Sequence, residues 1–220
     1  MRKVEIHAPV VDIMAEDTQV LSYKITHDLH DQSHSIQWPS SLQYTISHYD
    51  GSLRLGGEAA LLALLLPAMQ KGIDLVIHTP VSARLLYFCK NDVQEILINH
   101  IPGLKRIAID APEYSYNGDL STSEVVTGFS GGIDSYCVLS DYLFSCTPAG
   151  FKVNRLLFNN VGSHGIDPVA SKDLFCRRYE KLAKIALKMG LKITKINSNL
   201  DEFYGSSLGF PKSHSLVSPP

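Results

Sequence analysis

Cysteine is scarce in this sequence and never occurs in a closely spaced pair. The four cysteines are Cys89, Cys137, Cys146 and Cys176, and no two of them form a C-x-x-C motif. Their spacing therefore indicates neither a zinc knuckle nor a thioredoxin-like redox pair. Isolated cysteines on apolar faces usually behave as small core side chains, so we expect reduced thiols in a cytoplasmic protein.

A strong excess of one charge and long apolar runs are lacking as well. The formal net charge is −2 over 220 residues, which argues against a broad nucleic-acid-binding surface. The most apolar run, residues 59–69, is too short to span a bilayer. Residues 1–3 are followed by no apolar stretch of the kind that a signal peptide needs. We therefore expect neither a nucleic-acid partner nor a membrane partner.

What the sequence does contain is a predicted strand, glycine turn and helix within residues 124–143. Val125, Val126 and Phe129 form a short apolar run of the kind found in buried parallel strands. Two glycines then interrupt the run, and side chains at helical spacing follow up to residue 143. A helix N-terminus after a glycine turn presents unpaired N–H donors, which suit an oxyanion such as phosphate.

The turn itself, residues 130–135, reads S-G-G-I-D-S. This S-G-G-x-D-S pattern resembles the PP-loop of the N-type ATP pyrophosphatases, among them GMP synthetase, NAD synthetase, the asparagine synthetase C-terminal domain and 7-cyano-7-deazaguanine synthase. The resemblance implies an ATP-dependent ligase or amidating enzyme with ATP and Mg²⁺ as cofactors. Such an enzyme adenylates a small-molecule or base substrate and releases pyrophosphate.

The resemblance also implies which residues contact the nucleotide. In that scheme the two serines donate hydroxyl hydrogen bonds, the backbone of residues 131–133 supplies N–H groups, and Asp134 orders the loop or binds Mg²⁺. The end of the second strand would lie against adenine and ribose, mainly through its backbone. The expected nucleotide-binding residues are Ser130, Gly131, Gly132, Ile133, Asp134, Ser135, Phe158 and Asn159.

Two other functions are consistent with the same residues. Residues 128–132 also fit G-x-S-x-G, the nucleophile elbow of α/β-hydrolases, and the order Ser130, Asp201, His214 imitates a catalytic triad. Against a hydrolase, an elbow needs no Asp-Ser at the start of its helix. The remaining alternative is a nucleotide-binding interaction module without turnover.

The predicted fold class is α/β: a doubly wound, Rossmann-like parallel sheet preceded by a small α/β accessory domain. We place the accessory domain at residues 1–118 and the PP-loop domain at residues 119–220. Residues 56–82 look like the N-terminal region of a bacterial PP-loop group whose members are about twice as long. That resemblance, and the few residues that follow the turn, predict a chain whose C-terminal half is missing.

Patterns elsewhere predict further elements and candidate ligands. Helices are expected at residues 58–71, 82–100 and 171–189, and strands at residues 153–158 and 191–196. Polar residues that follow these two strands would lie at the ligand-binding edge of the sheet. They include His164, Asn199, Asp201 and Glu202, which could hold a substrate or Mg²⁺.

Overall fold

The computed structural model describes residues 2–15, 17–27, 38–115, 124–160 and 168–204, and it confirms the predicted α/β class. The strands are β1 (Lys3–Ile6), β2 (Val10–Ala15), β3 (Thr18–His27), β4 (Ser41–Ser47), β5 (Asp74–Ile77), β6 (Val81–Ser82), β7 (Ile109–Asp110), β8 (Glu113–Tyr114), β9 (Val126–Gly128), β10 (Arg155–Asn160) and β11 (Lys192–Ser198). The helices are α1 (Glu58–Lys71), α2 (Ala83–Lys90), α3 (Asp92–His100), α4 (Ile133–Leu139), α5 (Pro168–Lys188) and α6 (Asp201–Tyr204).

The main sheet has the order β7-β5-β1-β3-β4-β11-β10-β9, and β2 forms a hairpin with β3. Each end of the sheet is a parallel group of three strands, which is compatible with a Rossmann-like fold. Between the two groups, β3 and β4 are antiparallel to each other and to their neighbours. The doubly wound arrangement and the accessory domain stay predictions.

The two parallel groups run in opposite directions, because three successive antiparallel pairings separate β1 from β11. In both groups successive strands are added in the same direction along the sheet, from β1 through β5 to β7 and from β9 through β10 to β11. Right-handed crossovers then place the helices of the two groups on opposite faces. The carboxyl ends of β9, β10 and β11 consequently lie along the same edge of the sheet as the amino ends of β1, β5 and β7.

The apolar side chains form two clusters. The larger one belongs to α1 and the strands of the first half, and it also takes in Leu200, Phe203 and Tyr204 from the end of the described chain. The smaller one joins α4 and α5 to β10, with Phe129, Phe158 and other side chains buried among them. The sheet is therefore continuous while its core is divided, and α6 ties the second half back to the first.

Helix α1 contains a proline whose effect is compensated by a tyrosine from the second half. Pro67 has no N–H to donate to the carbonyl of Ala63 four residues earlier. The hydroxyl of Tyr204 donates to that carbonyl instead, over 3.5 Å. Gly72 ends the helix with φ +66°, the left-handed conformation that is common for a glycine at this position.

The single helix predicted for residues 82–100 is wrong, because the chain breaks at Asn91 into α2 and α3. The side chain of Asn91 donates to the carbonyl of Tyr87, a local bond typical of asparagine at turns. The break also lets the fully buried Gln94 donate to the carbonyls of Cys89 and Ile107. Satisfying that buried carboxamide is the physical reason for two short helices.

A buried arginine anchors the second parallel group to the loop after β4. The Arg155 side chain is 6% exposed and donates to Glu124 over 2.7 Å, to Asp50 over 2.6 Å and to Thr194 over 3.1 Å. Lys192 and Arg155 hold the pKa of the Asp50 carboxyl well below its usual range.

Within the described residues, no helix combines the length and the apolarity that crossing a membrane requires.

Candidate functional site: the glycine loop after β9

The segment from residue 129 to residue 135, here called the glycine loop, joins β9 to α4 at the carboxyl end of its strand. β9 and β10 are parallel, and the N–H of Phe129 still bonds to the carbonyl of Leu157, over 2.8 Å. The Phe129 ring is buried and packs edge-on against Tyr136 of α4, with 5.4 Å between ring centroids. The predicted strand, turn and helix are therefore present, and the loop starts from a fixed point.

Gly131 allows the loop to turn, since its φ is +74°, a conformation that other residues rarely adopt. A Cβ on Gly131 would lie 2.7 Å from Cδ2 of Leu182, a buried side chain of α5. By contrast, a Cβ on Gly132 would meet nothing closer than Ser130 Oγ at 3.5 Å. The first glycine is thus fixed by the backbone and by close packing, while a Cβ at the second would make only an ordinary contact with Ser130.

The two serines of the motif hold the loop in shape. The hydroxyl of the buried Ser135 accepts a hydrogen bond from the N–H of Ser130 over 3.1 Å. The two hydroxyl oxygens are 3.0 Å apart, and the N–H of Gly132 donates to Ser130 Oγ over 3.4 Å. Ser135 therefore orders the loop from within, whereas the exposed Ser130 keeps one side toward solvent.

Four backbone N–H groups of the loop have no acceptor among the described residues: those of Gly131, Ile133, Asp134 and Ser135. The last three belong to the first turn of α4, whose N-cap, Gly132, provides no side-chain acceptor. Ile133 is 80% exposed, and the carboxylate of Asp134 is also on the surface. An anion placed against the loop could accept hydrogen bonds from several of these donors at once.

Phe158 lies in the core and not in a binding cleft. Its ring is 6% exposed and stacks on Phe175 of α5, with centroids 5.0 Å apart and planes 19° from parallel. Asn159 points to the opposite face of the sheet, where its side-chain oxygen is buried and has no hydrogen-bond partner among the described residues. Of these two predicted nucleotide-binding residues, Phe158 can offer a ligand only its backbone.

The other polar candidates divide into structural and exposed groups. Asn199 accepts from the N–H of Gln43 over 2.8 Å and donates to the carbonyl of Ser41 over 3.0 Å, so its carboxamide holds β4. Asp201 and Glu202 are exposed in the first turn of α6. His164 and His214 lie outside the described residues. Within those residues no group of three or more His, Cys, Asp and Glu side chains could hold a metal ion.

The contact between the loop and α5 was not foreseen from the sequence. Leu182 is part of the apolar face of α5, in agreement with helical spacing. Spacing gives no information on which loop this face meets, so the proximity of α5 to Gly131 emerges only in three dimensions.

Comparisons with protein-family models, with curated proteins and with solved structures gave no match.

Proposed function

We propose that the glycine loop binds the phosphates of ATP and that the protein adenylates a small-molecule or base substrate with release of pyrophosphate. The observation that carries this proposal is a set of four N–H groups, of Gly131, Ile133, Asp134 and Ser135, that have no acceptor in the described part of the chain. They surround a glycine of positive φ at the carboxyl end of a parallel strand. Such donors stabilise negative charge with little reorganisation. The S-G-G-x-D-S motif supplies the resemblance to the PP-loop enzymes.

In the proposed reaction an oxygen of the substrate forms a bond to the α-phosphorus of ATP. The bond from that phosphorus to the bridging oxygen breaks, and the electron pair leaves with pyrophosphate. The loop holds the β- and γ-phosphates through its N–H groups and through the hydroxyl of Ser130, so the leaving group is stabilised as its charge grows. A magnesium ion, when bound, offsets the phosphate charge, and Asp134 is the loop carboxylate that would reach it.

A nucleotide-binding module without turnover is the second candidate. The observation that favours it is negative and concerns the described residues: Asp134 is the sole carboxylate within the glycine loop, and no cluster of potential metal ligands lies nearby. This candidate predicts that ATP binds without release of pyrophosphate.

The hydrolase alternative stays a prediction that rests on Ser130. In a nucleophile elbow the serine occupies a strained turn. Here the positive φ belongs to Gly131, and the hydroxyl of Ser130 lies beside that of Ser135. A fluorophosphonate probe that labels the wild-type protein but not Ser130→Ala would establish the hydrolase and remove the ligase.

The main test is ATP affinity measured by isothermal titration calorimetry in the presence of Mg²⁺. We expect the double variant Ser130→Ala with Asp134→Ala to bind ATP at least about tenfold more weakly, which corresponds to a loss of ~1.4 kcal/mol or more of binding free energy. The matched control is Ser140→Ala with Asp141→Ala, an exposed Ser-Asp pair just beyond α4, which should bind ATP as the wild type does.

ATP affinity and pyrophosphate release test the binding site and the reaction separately. Equal ATP affinity in the wild type and the Ser130/Asp134 variant would remove the proposed nucleotide site. Pyrophosphate release with a panel of carboxylates and modified bases would then distinguish the enzyme from the module, because the module releases none.

A further inference from the structure

The cations of this chain are concentrated in one short stretch. Residues 172–195 hold eight of the twenty lysines and arginines but only two of the twenty-two aspartates and glutamates, so their local net charge is +6. The remainder of the chain therefore carries −8, and the overall charge of −2 conceals this uneven distribution. Such a concentration of positive charge attracts an anionic partner to that part of the surface.

Four of these cations form a row along α5, here called the basic stripe: Arg177, Lys181, Lys184 and Lys188. Their spacing of four, three and four residues keeps them within a sector of about 60° and spreads them over about 16 Å of the helix. All four side chains are exposed. The buried side chains of α5, among them Leu182 and Ala186, lie on the opposite side of the helix.

The protein makes little use of the basic stripe in its own ion pairs. Arg177 pairs with Asp173 over 2.8 Å, but these side chains are 66% and 62% exposed, so the pair contributes little to stability. No described carboxylate lies within ion-pair distance of the three lysines of the stripe. Lys192 of β11, by contrast, pairs with Asp50. The charge of the stripe is thus left for an external anion.

A groove with a volume of ≈ 440 Å³ follows the stripe. Among the described residues it is lined by side chains of α5, including Arg177, Lys181 and Lys184. Arg178 adds a fourth cation to this lining, and Glu180 is its anionic member. A row of phosphate groups along the groove would therefore meet several cations in succession.

The surroundings of the stripe distinguish between possible anionic partners. A membrane-surface helix inserts an exposed apolar face between lipid headgroups, whereas the apolar face of α5 is buried in the smaller cluster with β10. Proteins that bind single-stranded nucleic acid stack the bases on aromatic rings. Neither aromatic ring of α5 is placed for stacking, since Phe175 is buried and Tyr179 packs on His48 and donates to β11. The stripe offers regularly spaced charge, which suits a continuous phosphate backbone.

We propose that the basic stripe binds the phosphate backbone of a nucleic-acid duplex without reading its sequence. A DNA duplex carries one negative charge per about 1.7 Å of its axis, so several phosphates lie opposite a row of cations about 16 Å long. Each cation that meets a phosphate releases a counterion, and this release favours binding. The proposal is independent of the nucleotide site at the glycine loop.

The test measures the binding of fluorescein-labelled DNA and RNA duplexes of one sequence, each of about 20 base pairs, by fluorescence anisotropy. At about 150 mM salt the wild type should bind with a Kd of about 1–100 µM, the range of non-specific binding. For Lys181→Gln with Lys184→Gln we expect the affinity to fall at least about tenfold. The slope of log affinity against log salt should become shallower by about 2, because two phosphate contacts are lost.

Two control variants accompany this measurement. Lys181→Arg with Lys184→Arg keeps the charge and should bind the duplex as the wild type does. Lys24→Gln with Lys90→Gln removes two exposed cations from the first half of the chain and lowers the net charge equally. It should leave duplex affinity unchanged. Thermal unfolding of every variant checks that the fold is intact.

Three results would overturn the inference. The first is a wild type that binds neither duplex, or that binds them no better than the Lys181/Lys184 glutamine variant does. The second is tighter binding of a single-stranded oligonucleotide of the same length. The third is binding to vesicles of phosphatidylcholine and phosphatidylserine that depends on Lys181 and Lys184 while neither duplex binds, since the stripe would then serve a membrane surface.

Discussion

The replacement of Gly131 by alanine tests the structure of the glycine loop most directly. An alanine at φ +74° costs about 1–2 kcal/mol relative to glycine, because its Cβ approaches the neighbouring carbonyl. The new Cβ would also lie 2.7 Å from Cδ2 of Leu182, which is 7% exposed and has little room to move away. Forcing that side chain off its rotamer adds about 0.5–1.5 kcal/mol.

Together these two terms predict that Gly131→Ala lowers the free energy of unfolding by about 1.5–3.5 kcal/mol. For a chain of this size each kcal/mol changes Tm by about 2–4 °C, so Tm should fall by about 3–14 °C. The assay is thermal unfolding followed by circular dichroism, with urea unfolding as the equilibrium measurement. We also expect weaker ATP binding, because the loop can no longer keep its shape.

Gly128→Ala is the matched control, since a Cβ at Gly128 meets no atom within 4 Å and the residue has no positive φ. Its stability should stay within about 0.5 kcal/mol of the wild type. Combining Gly131→Ala with Leu182→Ala should cost less than the sum of the single changes, because the double variant removes the close contact. A Gly131→Ala protein as stable as Gly128→Ala would refute the left-handed turn and its packing on α5.

Three further predictions concern the connections between the two halves of the molecule. Arg155→Met removes a buried guanidinium and its bonds to Asp50 and Glu124, and should lower the free energy of unfolding by about 2–3 kcal/mol in urea; an unchanged denaturation midpoint would contradict its anchoring role. The pKa of Asp50 is held below its ordinary value of 3.8, so its contribution to stability is full above that pH and is lost as the pH falls further. Urea unfolding of Asp50→Asn should therefore show a smaller loss of stability on acidification below about pH 4 than the wild type shows. Tyr204→Phe leaves the carbonyl of Ala63 without its donor and should cost about 1 kcal/mol, whereas a variant as stable as the wild type would make that 3.5 Å bond dispensable.

Local patterns were sufficient for the helices and strands with strong periodicity. The prediction for residues 58–71 matches α1. The predicted strand, turn and helix at the S-G-G-x-D-S motif match β9, the glycine loop and α4. These predictions succeeded because helix periodicity, glycine conformation and turn chemistry act between residues that are near one another in the chain.

Contacts between distant segments were decided by the tertiary structure alone. The break at Asn91 depends on the buried Gln94, whose partners include a carbonyl thirteen residues away. The position of Phe158 in the core depends on Phe175 of α5 stacking on it. In both cases the side chain contacts a residue that is distant in sequence, and the local spacing of residues does not predict such a contact.

The sequence by itself determined that a glycine turn would join a parallel strand to a helix and present unpaired N–H groups, because φ, helix ends and side-chain alternation are local properties. Only the tertiary structure decided that β3 and β4 separate two parallel groups of opposite direction, and that Leu182 of α5 packs against Gly131. Strand pairing and helix packing are settled by which apolar faces bury one another, and that competition involves the whole chain at once.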